Sequence, residues 1–486
     1  MKISKLVSAG SLALALAGVA SASQSSPAVL VNIVGSTAFR NAVTAAEVAT
    51  LSNVGTNLAG GHALASYTGS TAFNGSNQSG AGQSNVYGYL SDGTTEVMYR
   101  NDWTGSAAGL IDLTQGNSTL TFIPTSATMS AVNGGGGTSF SGTLATAAPS
   151  VTLCDVDDTD IAASIKTQGT VGKSYSKTIL GAALQDGGAT AGPNGCVAVI
   201  PFEWVTGAVS GGSSNIPSGL TNMTTDNASA LISGGNIPLS QFTGNTSDEN
   251  NFVLLVGRSE DSGSRVSAFG EAQSGGIAAT EGYGQACQQY MLQQTGVSYP
   301  TSAQPAGYPS ISTGTGLTSF KLWPTNWGIG GESTLAWAST GHSGYNGGGD
   351  VAAILNTPNP ITYSSFSGVP GSAQPSGVAS SSQIYFVGYL GIPDAAKVTN
   401  GRALTYNGVA YSVAAVLDGQ YGFWGYEHLY YLTSATGSQV AIGSNQTAAD
   451  ALADTIFGLT SSQLGAGVNF SSMFAAKGLA AGSAAN

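Results

Sequence analysis

Short apolar runs that end in glycine and small hydroxyl residues recur along the chain, most of them ahead of a helix-like segment. Val29–Val34 (VLVNIV) has the length of a buried strand. Gly35-Ser36-Thr37 breaks it, and Phe39–Leu51 follows as an Ala-rich helix with Phe39, Val43 and Ala46 on one face. Thr95–Arg100 (TEVMYR) predicts a second strand, followed by Gly105-Ser106 and the apolar segment Ala107–Leu113. Ser150–Leu153 and Val197–Pro201 (VAVIP) predict a third and a fourth, the third running into Cys154-Asp155. Thr221–Ile232 reads as a helix opened by a threonine cap and stopped at Gly234-Gly235. Phe252–Val256 is a strand, Val266–Ala272 and Asp350–Leu355 are helices, and Gln383–Leu390 is again a strand. The aromatic stretch Tyr421–Leu432 and a C-terminal Ala/Leu helix close the chain. Repetition of strand, small-residue turn and helix predicts an α/β fold with a substantial parallel component.

Residues 55–93 and 133–147 are rich in Gly, Ser, Thr and Asn and read as long surface loops, with NGGGGTSFSG open as a hairpin tip. The glycines follow no fixed period, so a repeat architecture is not expected. Charged residues make up only 8% of the chain, yet 42% is hydrophobic, which places it among packed proteins rather than disordered ones. The net charge of −12 provides no attraction to nucleic acid or anionic lipid. Lys2 and Lys5, the apolar stretch Leu6–Val19 and Ala20-Ser21-Ala22 together read as a secretory signal peptide over residues 1–22, too short to span a bilayer. A soluble exported protein without membrane insertion is expected. Of Cys154, Cys196 and Cys287, export permits one bridge, and Cys154–Cys196 is the preferred pair, with three buried thiols as the other reading.

Candidate chemistry lies at the strand ends. The turn GRSEDSGSR (257–265) places Arg258 and Arg265 around Ser262-Gly263-Ser264 in a chain with only 13 basic residues. N–H groups at a helix start, glycine for close approach, neutral hydroxyl donors and one planar guanidinium are the parts of an oxyanion cradle. Ser36-Thr37-Ala38 and Gly105-Ser106 carry the same parts without the arginine. Asp155 ends a buried strand and can only accept, so beside a bound oxyanion it would favour one that keeps a proton. Asp157 is the alternative holder of that role, and a solvated loop or helix cap is the structural reading of DVDD.

An ordered series, VGSTAFRNAV, MYRNDWTGSAAGL, LCDVDD, VAVIPFEW, NASALISGGNIPLSQFTG, GRSEDSGSRVSAF, WPTNWGIGG with GYNGGGDVAAIL, YFVGYLGI and GVAYSVAAVLDGQYGFWGYEHLYY, runs from about residue 29 to 435. It resembles the periplasmic phosphate-binding proteins, solute receptors of ATP-driven phosphate importers. The resemblance implies a two-lobed type 2 periplasmic-binding fold with mixed sheets flanked by helices. It implies one lobe from residues 27–200 and 390–486, a second from 201–389, and crossings near Pro201 and Gly388. It also implies that Thr37, Ala38, Ser106 and Asp155 line the anion site from the first lobe, and Ser36 on the same turn is a further candidate. Arg258, Ser262, Gly263 and Ser264 would line it from the second, with Glu260 bracing the guanidinium. Ser264 stands where threonine is common, and Asp261 adds a carboxylate to the turn. The implied protein is a periplasmic or extracellular monomer that binds inorganic phosphate or a similar oxyanion, needs no cofactor or metal, and docks on an ABC permease.

Two other classes stay open at this level. A weak secreted phosphatase would need a base beside a serine, and His62, His342 and His428 carry no matching acid pattern. An adhesive surface protein would use the cluster Tyr421, Phe423, Trp424, Tyr426, Tyr430 and Tyr431 for a partner, whereas the structural reading makes it core.

Overall fold

The computed structural model describes residues 29–52, 62–67, 82–127, 130–131, 138–140, 142–158, 184–186, 195–207, 215–258, 262–272, 289–294, 320–324, 344–345, 347–356, 361–362, 382–434, 437, 439–465 and 467–477. Residues 1–28, on which the expected signal peptide falls, Cys287, His342 and the 259–261 part of the arginine turn lie outside them. The first half is built from β1 (Val29–Gly35), α1 (Arg40–Ser52), β2 (His62–Tyr67), β3 (Gln83–Tyr89), β4 (Glu96–Asp102), α2 (Ser106–Gln115) and β5 (Val151–Cys154). There follow β6 (Cys196–Thr206), α3 (Thr225–Gly234), β7 (Asn236–Pro238), β8 (Phe252–Val256), α4 (Gly263–Ala272), α5 (Gly348–Leu355), β9 (Gln383–Gly391), α6 (Ile392–Ala395), β10 (Trp424–Leu432) and α7 (Gln446–Gly458). Among the described residues no helix is long and apolar enough to cross a membrane.

The strands join in one mixed sheet in the order β7-β8-β9-β6-β10-β5-β1-β4-β3-β2. Strand β1 lies parallel to both β4 and β5, with Val34 opposite Asp102 and Gly35 opposite Leu153, so three carboxyl ends share one edge. In the other half β8 and β9 are parallel, with Val256 opposite Gly388. The 11-residue β6 belongs to both halves: Pro201 pairs with Trp424 on β10, and the next residue, Phe202, pairs with Gly391 at the end of β9. Proline has no N–H for the ladder, and it sits where the strand exchanges one partner for another. Because β5 runs antiparallel to β10, its carboxyl end points toward Trp424. The carboxyl edges of both half-sheets therefore face the middle of β6.

The apolar pattern explains this layering. Val31 and Ile33 of β1 share a buried core with Phe39, Ala42, Val43 and Ala46 around α1, while Val34, on the other face of the strand, is buried as well. Helix α2 closes on β1 so tightly that a Cβ at Gly109 would stand 2.6 Å from Gly35 Cα. Helix α3 starts later than the sequence suggested: Thr224, not Thr221, caps it by accepting from Asn227 N–H at 3.1 Å, and it ends at Gly235 with φ 74°.

Two expectations need correction. In the stretch 55–93 that reads as surface loop, His62–Tyr67 is a strand, and Gln83–Tyr89 is an interior strand paired with it and with β4. Its composition is small and polar, but Val86 and Tyr87 are buried, and Asn85 satisfies its amide on the carbonyls of Ile123 and Pro124, each at 3.3 Å. The Cys154–Cys196 bridge is absent. Both buried thiols sit opposite His428, one on each side of β10. Two strand spacings separate them by about 10 Å, beyond the roughly 7 Å that a disulfide spans. His428 itself is buried, stacked on Tyr430 with ring centroids 5.3 Å apart, and Cys196 Sγ lies 3.7 Å from its Nδ1. The neighbouring aromatics Tyr421, Phe423, Trp424, Tyr426 and Tyr431 are core residues.

Candidate oxyanion site

At the end of β1 the chain turns on Gly35, whose φ of 115° is a left-handed conformation and whose missing Cβ would fall 2.0 Å from the Leu153 carbonyl oxygen. Glycine is needed here on both counts. Ser36 donates its N–H to Leu153 O at 2.9 Å, and its Oγ accepts from Phe39 N–H at 3.1 Å ahead of α1. Thr37 is half-buried and Ala38 buried. The second turn is tied to the first, since Gly105 N–H donates to Gly35 O at 2.8 Å. That bond sets Ser106 at the start of α2, where its Oγ accepts from Asp155 N–H at 3.3 Å.

Asp155 is 2% exposed. Burial, the largest influence, raises its pKa above the ordinary carboxyl value, while the hydroxyls of Ser36 and Ser106, the Glu427 carboxyl and the positive charge of Arg258 draw it down. Its Oδ1 is buried and has no hydrogen-bond partner. Of the two acidic candidates in DVDD, Asp155 is the one packed on Ser106. Asp157, also buried, acts electrostatically on Tyr430 and Cys154.

The arginine turn leaves β8 at Gly257, where a Cβ would come 2.0 Å from Gln289 Oε1 and 2.6 Å from the Tyr389 ring. Backbone bonds pin Arg258: its N–H donates to Tyr389 Oη at 3.1 Å, and its carbonyl accepts from Arg265 Nη1 at 3.1 Å and Gln289 Nε2 at 3.0 Å. Its side chain, 4% exposed, donates from Nε to Tyr345 O at 3.2 Å. Burial lowers the guanidinium's pKa, opposed by Asp394, Tyr389, Asp155 and Asp350. Beyond the turn, Ser262 Oγ and Ser264 Oγ are 2.7 Å apart and buried. Arg265 is fully buried with its guanidinium 4.9 Å over the Phe269 ring, which makes it part of the packing of α4.

These turns come together. A Cβ at Gly263 would lie 2.6 Å from Ser106 Oγ, 2.8 Å from Ser106 Cβ and 2.9 Å from Asp155 Cβ, and one at Gly391 would lie 3.1 Å from Ala38 Cβ. The structure thus gathers Ser36, Ser106, Asp155, Arg258, Ser262, Gly263 and Ser264 at the facing carboxyl edges, with Thr37 and Ala38 on the adjoining turn. Glu260 lies outside the described residues.

Several participants escaped the sequence reading. Asp394, on α6, is the first carboxylate to act on Arg258 and pairs with Lys397 Nζ at 2.5 Å. Its Oδ2 fills the space of a Cβ at Gly348, 2.0 Å away, at the start of α5. Tyr389 bridges Arg258 N–H to Gln289 Oε1, to which its hydroxyl donates at 2.6 Å. Glu427, fully buried on β10, faces Asp155. A lone glutamate inside the aromatic run WGYEHLYYL is a legible oddity, because an ionisable side chain in a buried strand requires a partner.

No protein-family model and no curated protein matches the chain. Among solved structures it is similar to a phosphate ABC transporter substrate-binding protein with bound phosphate from Clostridium perfringens, at 11% identity and TM-score 0.39 over 90% of this chain and 99% of that one. An ABC-type phosphate transport receptor from Vibrio cholerae aligns at 10% identity and TM-score 0.36, over 89% of this chain and 96% of that one. PstS from Borrelia burgdorferi aligns at 10% identity and TM-score 0.33, over 90% and 95%. At these TM-scores the superpositions are loose, and the functional reading below rests on the residues of this chain.

Proposed function

We propose that this chain is an exported solute-binding protein that encloses a partly protonated oxyanion, inorganic phosphate fitting best, between two lobes and performs no catalysis. The observation that carries the reading is the contact of Gly263 with Ser106 and Asp155, which unites turns more than a hundred residues apart at the carboxyl edges of two half-sheets. Ligands of open α/β sheets bind at that edge. In this reading residues 27–200 and 390–486 form one lobe and 201–389 the other, and the β6 partner exchange at Pro201–Phe202 supports a crossing there.

Hydroxyls and backbone N–H groups of the 36–38, 106 and 262–264 turns donate to the anion, and Arg258 supplies the cation. Asp155 Oδ1 accepts from the ligand's remaining hydroxyl. Sulfate offers no such proton and leaves that oxygen unpaired, at a cost of about 1–3 kcal/mol or more. Closure about the crossings dehydrates the anion and presents a changed surface to a membrane permease. A leader over residues 1–22 and a periplasmic or extracellular location belong to the same proposal.

The test is titration calorimetry with phosphate, arsenate and sulfate, alongside a thermal-shift screen that includes sugars. A ligand at a hundred times its Kd stabilises the native state by about 2.7 kcal/mol. Phosphate is expected to bind, and Arg258→Ala to lose most of that affinity while keeping a cooperative unfolding transition. Phosphate binding unchanged by Arg258→Ala rejects the site; a sugar ligand with no phosphate response rejects the function.

A further inference from the structure

Glu427 lies two residues beyond Gly425 on β10, so the two positions share a face of the strand. A side chain at 425 would approach the Asp155 carbonyl oxygen to 2.7 Å and Ser267 Oγ to 3.4 Å. That face therefore looks onto the end of β5 and the body of α4, which brings the Glu427 carboxyl beside Asp155 and Ser36. Glu427 is fully buried, and both of its oxygens, like Asp155 Oδ1, lack a direct hydrogen-bond partner. Two carboxylates cannot both stay ionised in so dry a place; such a pair holds a proton between its members.

The surroundings decide which member holds it. Ser36 at the end of β1, Ser106 on α2 and the Arg258 guanidinium after β8 all act on Asp155 to favour its charge. At Glu427 the influences that favour the proton, burial first and then the Asp155 charge, are opposed only by a contact with Ser36. The other titratable neighbour is Cys154, whose thiol burial and both carboxylates hold well above its ordinary value, so it stays neutral.

We propose that Glu427 is a specificity-determining residue of the oxyanion site: it keeps a proton directed at Asp155, so the pair carries one negative charge and selects a ligand that retains an acidic hydroxyl. The inference rests on the oxyanion reading above and sharpens it to the hydrogen-bearing forms of phosphate-like anions. While Glu427 is protonated in the free protein, no proton changes hands on binding; once it is stripped, binding must restore that proton. The ligand's hydroxyl donates to Asp155 Oδ1, and Glu427 keeps its own proton. If high pH strips Glu427, a second anion stands beside the ligand, and affinity falls by about tenfold for each pH unit past that point.

Phosphate affinity measured by calorimetry on the full chain between about pH 8 and pH 10, where inorganic phosphate is already mainly the dianion, tests the idea. Wild-type affinity is expected to fall more steeply with rising pH than that of Glu427→Gln, which fixes the neutral state and should change by less than about twofold. Parallel profiles overturn the proposal. A measurement on the wild type alone guards against a variant that fails to fold: near the alkaline end, titrations in two buffers of different ionisation enthalpy should show uptake of close to one proton on binding. Binding without uptake overturns the role of Glu427 and leaves the oxyanion site standing. No phosphate binding at neutral pH removes both.

Discussion

Gly263 offers the sharpest perturbation because local and tertiary physics predict opposite signs for the same methyl group. It is the first residue of α4 and is not among the glycines with positive φ. Helix propensity alone therefore favours alanine by up to about 1 kcal/mol. The tertiary setting reverses this, since the new Cβ would stand 2.6 Å from Ser106 Oγ, 2.8 Å from Ser106 Cβ and 2.9 Å from Asp155 Cβ. Ordinary carbon contacts are about 3.5–4.0 Å, so the two turns must part by roughly 0.6–1 Å. Rotation of Ser106 relieves only its hydroxyl. Both Cβ contacts are fixed by backbone. Overpacking of this kind costs about 1–3 kcal/mol, or roughly 5- to 150-fold in an equilibrium constant. If the turns meet only when the cleft shuts, Gly263→Ala weakens phosphate binding by that factor and leaves the melting temperature of the ligand-free protein unchanged or slightly higher. Calorimetry and differential scanning calorimetry read the two quantities. An unchanged Kd refutes the convergence of these turns on the ligand. A ligand-free melting temperature lowered by the full overpacking cost refutes the hinge, because the turns would then be packed together permanently.

Asp155→Asn is expected to raise sulfate affinity relative to phosphate, because an amide can donate where the carboxylate only accepts; an unchanged ratio in competition calorimetry counts against its part in selection. Glu47, fully buried on α1 and accepting from Asn101 Nδ2 at 3.1 Å, has its pKa raised by burial from 4.5 to about 8. The folded state therefore holds that proton more tightly than the unfolded state. Its stabilising contribution is complete below about pH 4.5 and is lost as pH rises toward 8, a span of about 5 kcal/mol. Urea unfolding should show Glu47→Gln more stable than wild type at pH 8 and with a flatter pH dependence, and equal slopes would contradict this. Lys477 Nζ is buried against Glu271 of α4, the carbonyls of Gly422 and Trp424, and the Trp424 ring at 4.6 Å. Lys477→Met should cost about 3–5 kcal/mol by stranding Glu271, and adding Glu271→Gln should recover part of it; additive losses in denaturant unfolding would show that the pair is not coupled.

The sequence made its own architecture readable wherever one residue's burial was enough to define an element. VLVNIV, FVLLV and QIYFVGYL are continuous apolar runs of strand length, and the structure has them at Val29–Gly35, Phe252–Val256 and Gln383–Gly391. Gln83–Tyr89 was hidden because its interior positions include Ser84 and Asn85, which are buried through hydrogen bonds that composition cannot reveal. The site divides along the same line. Arg258 and the Ser-Gly-Ser bend stand out in a chain with so few cations, and Gly35 and Gly105 mark turns at strand ends. Asp394, Tyr389 and Glu427 act through partners more than a hundred residues away, so their roles exist only once β9 and β10 lie beside β6. A carboxylate's charge state in particular is a property of its neighbours. Burial and then the neighbouring Asp155 charge push the Glu427 pKa up, and burial raises that of Asp155 too, against the downward pull of Ser36, Ser106 and Arg258 folded around it. Under the proposal made above, selectivity rests on the pairing of the two carboxyls, which requires the strand order as much as either side chain.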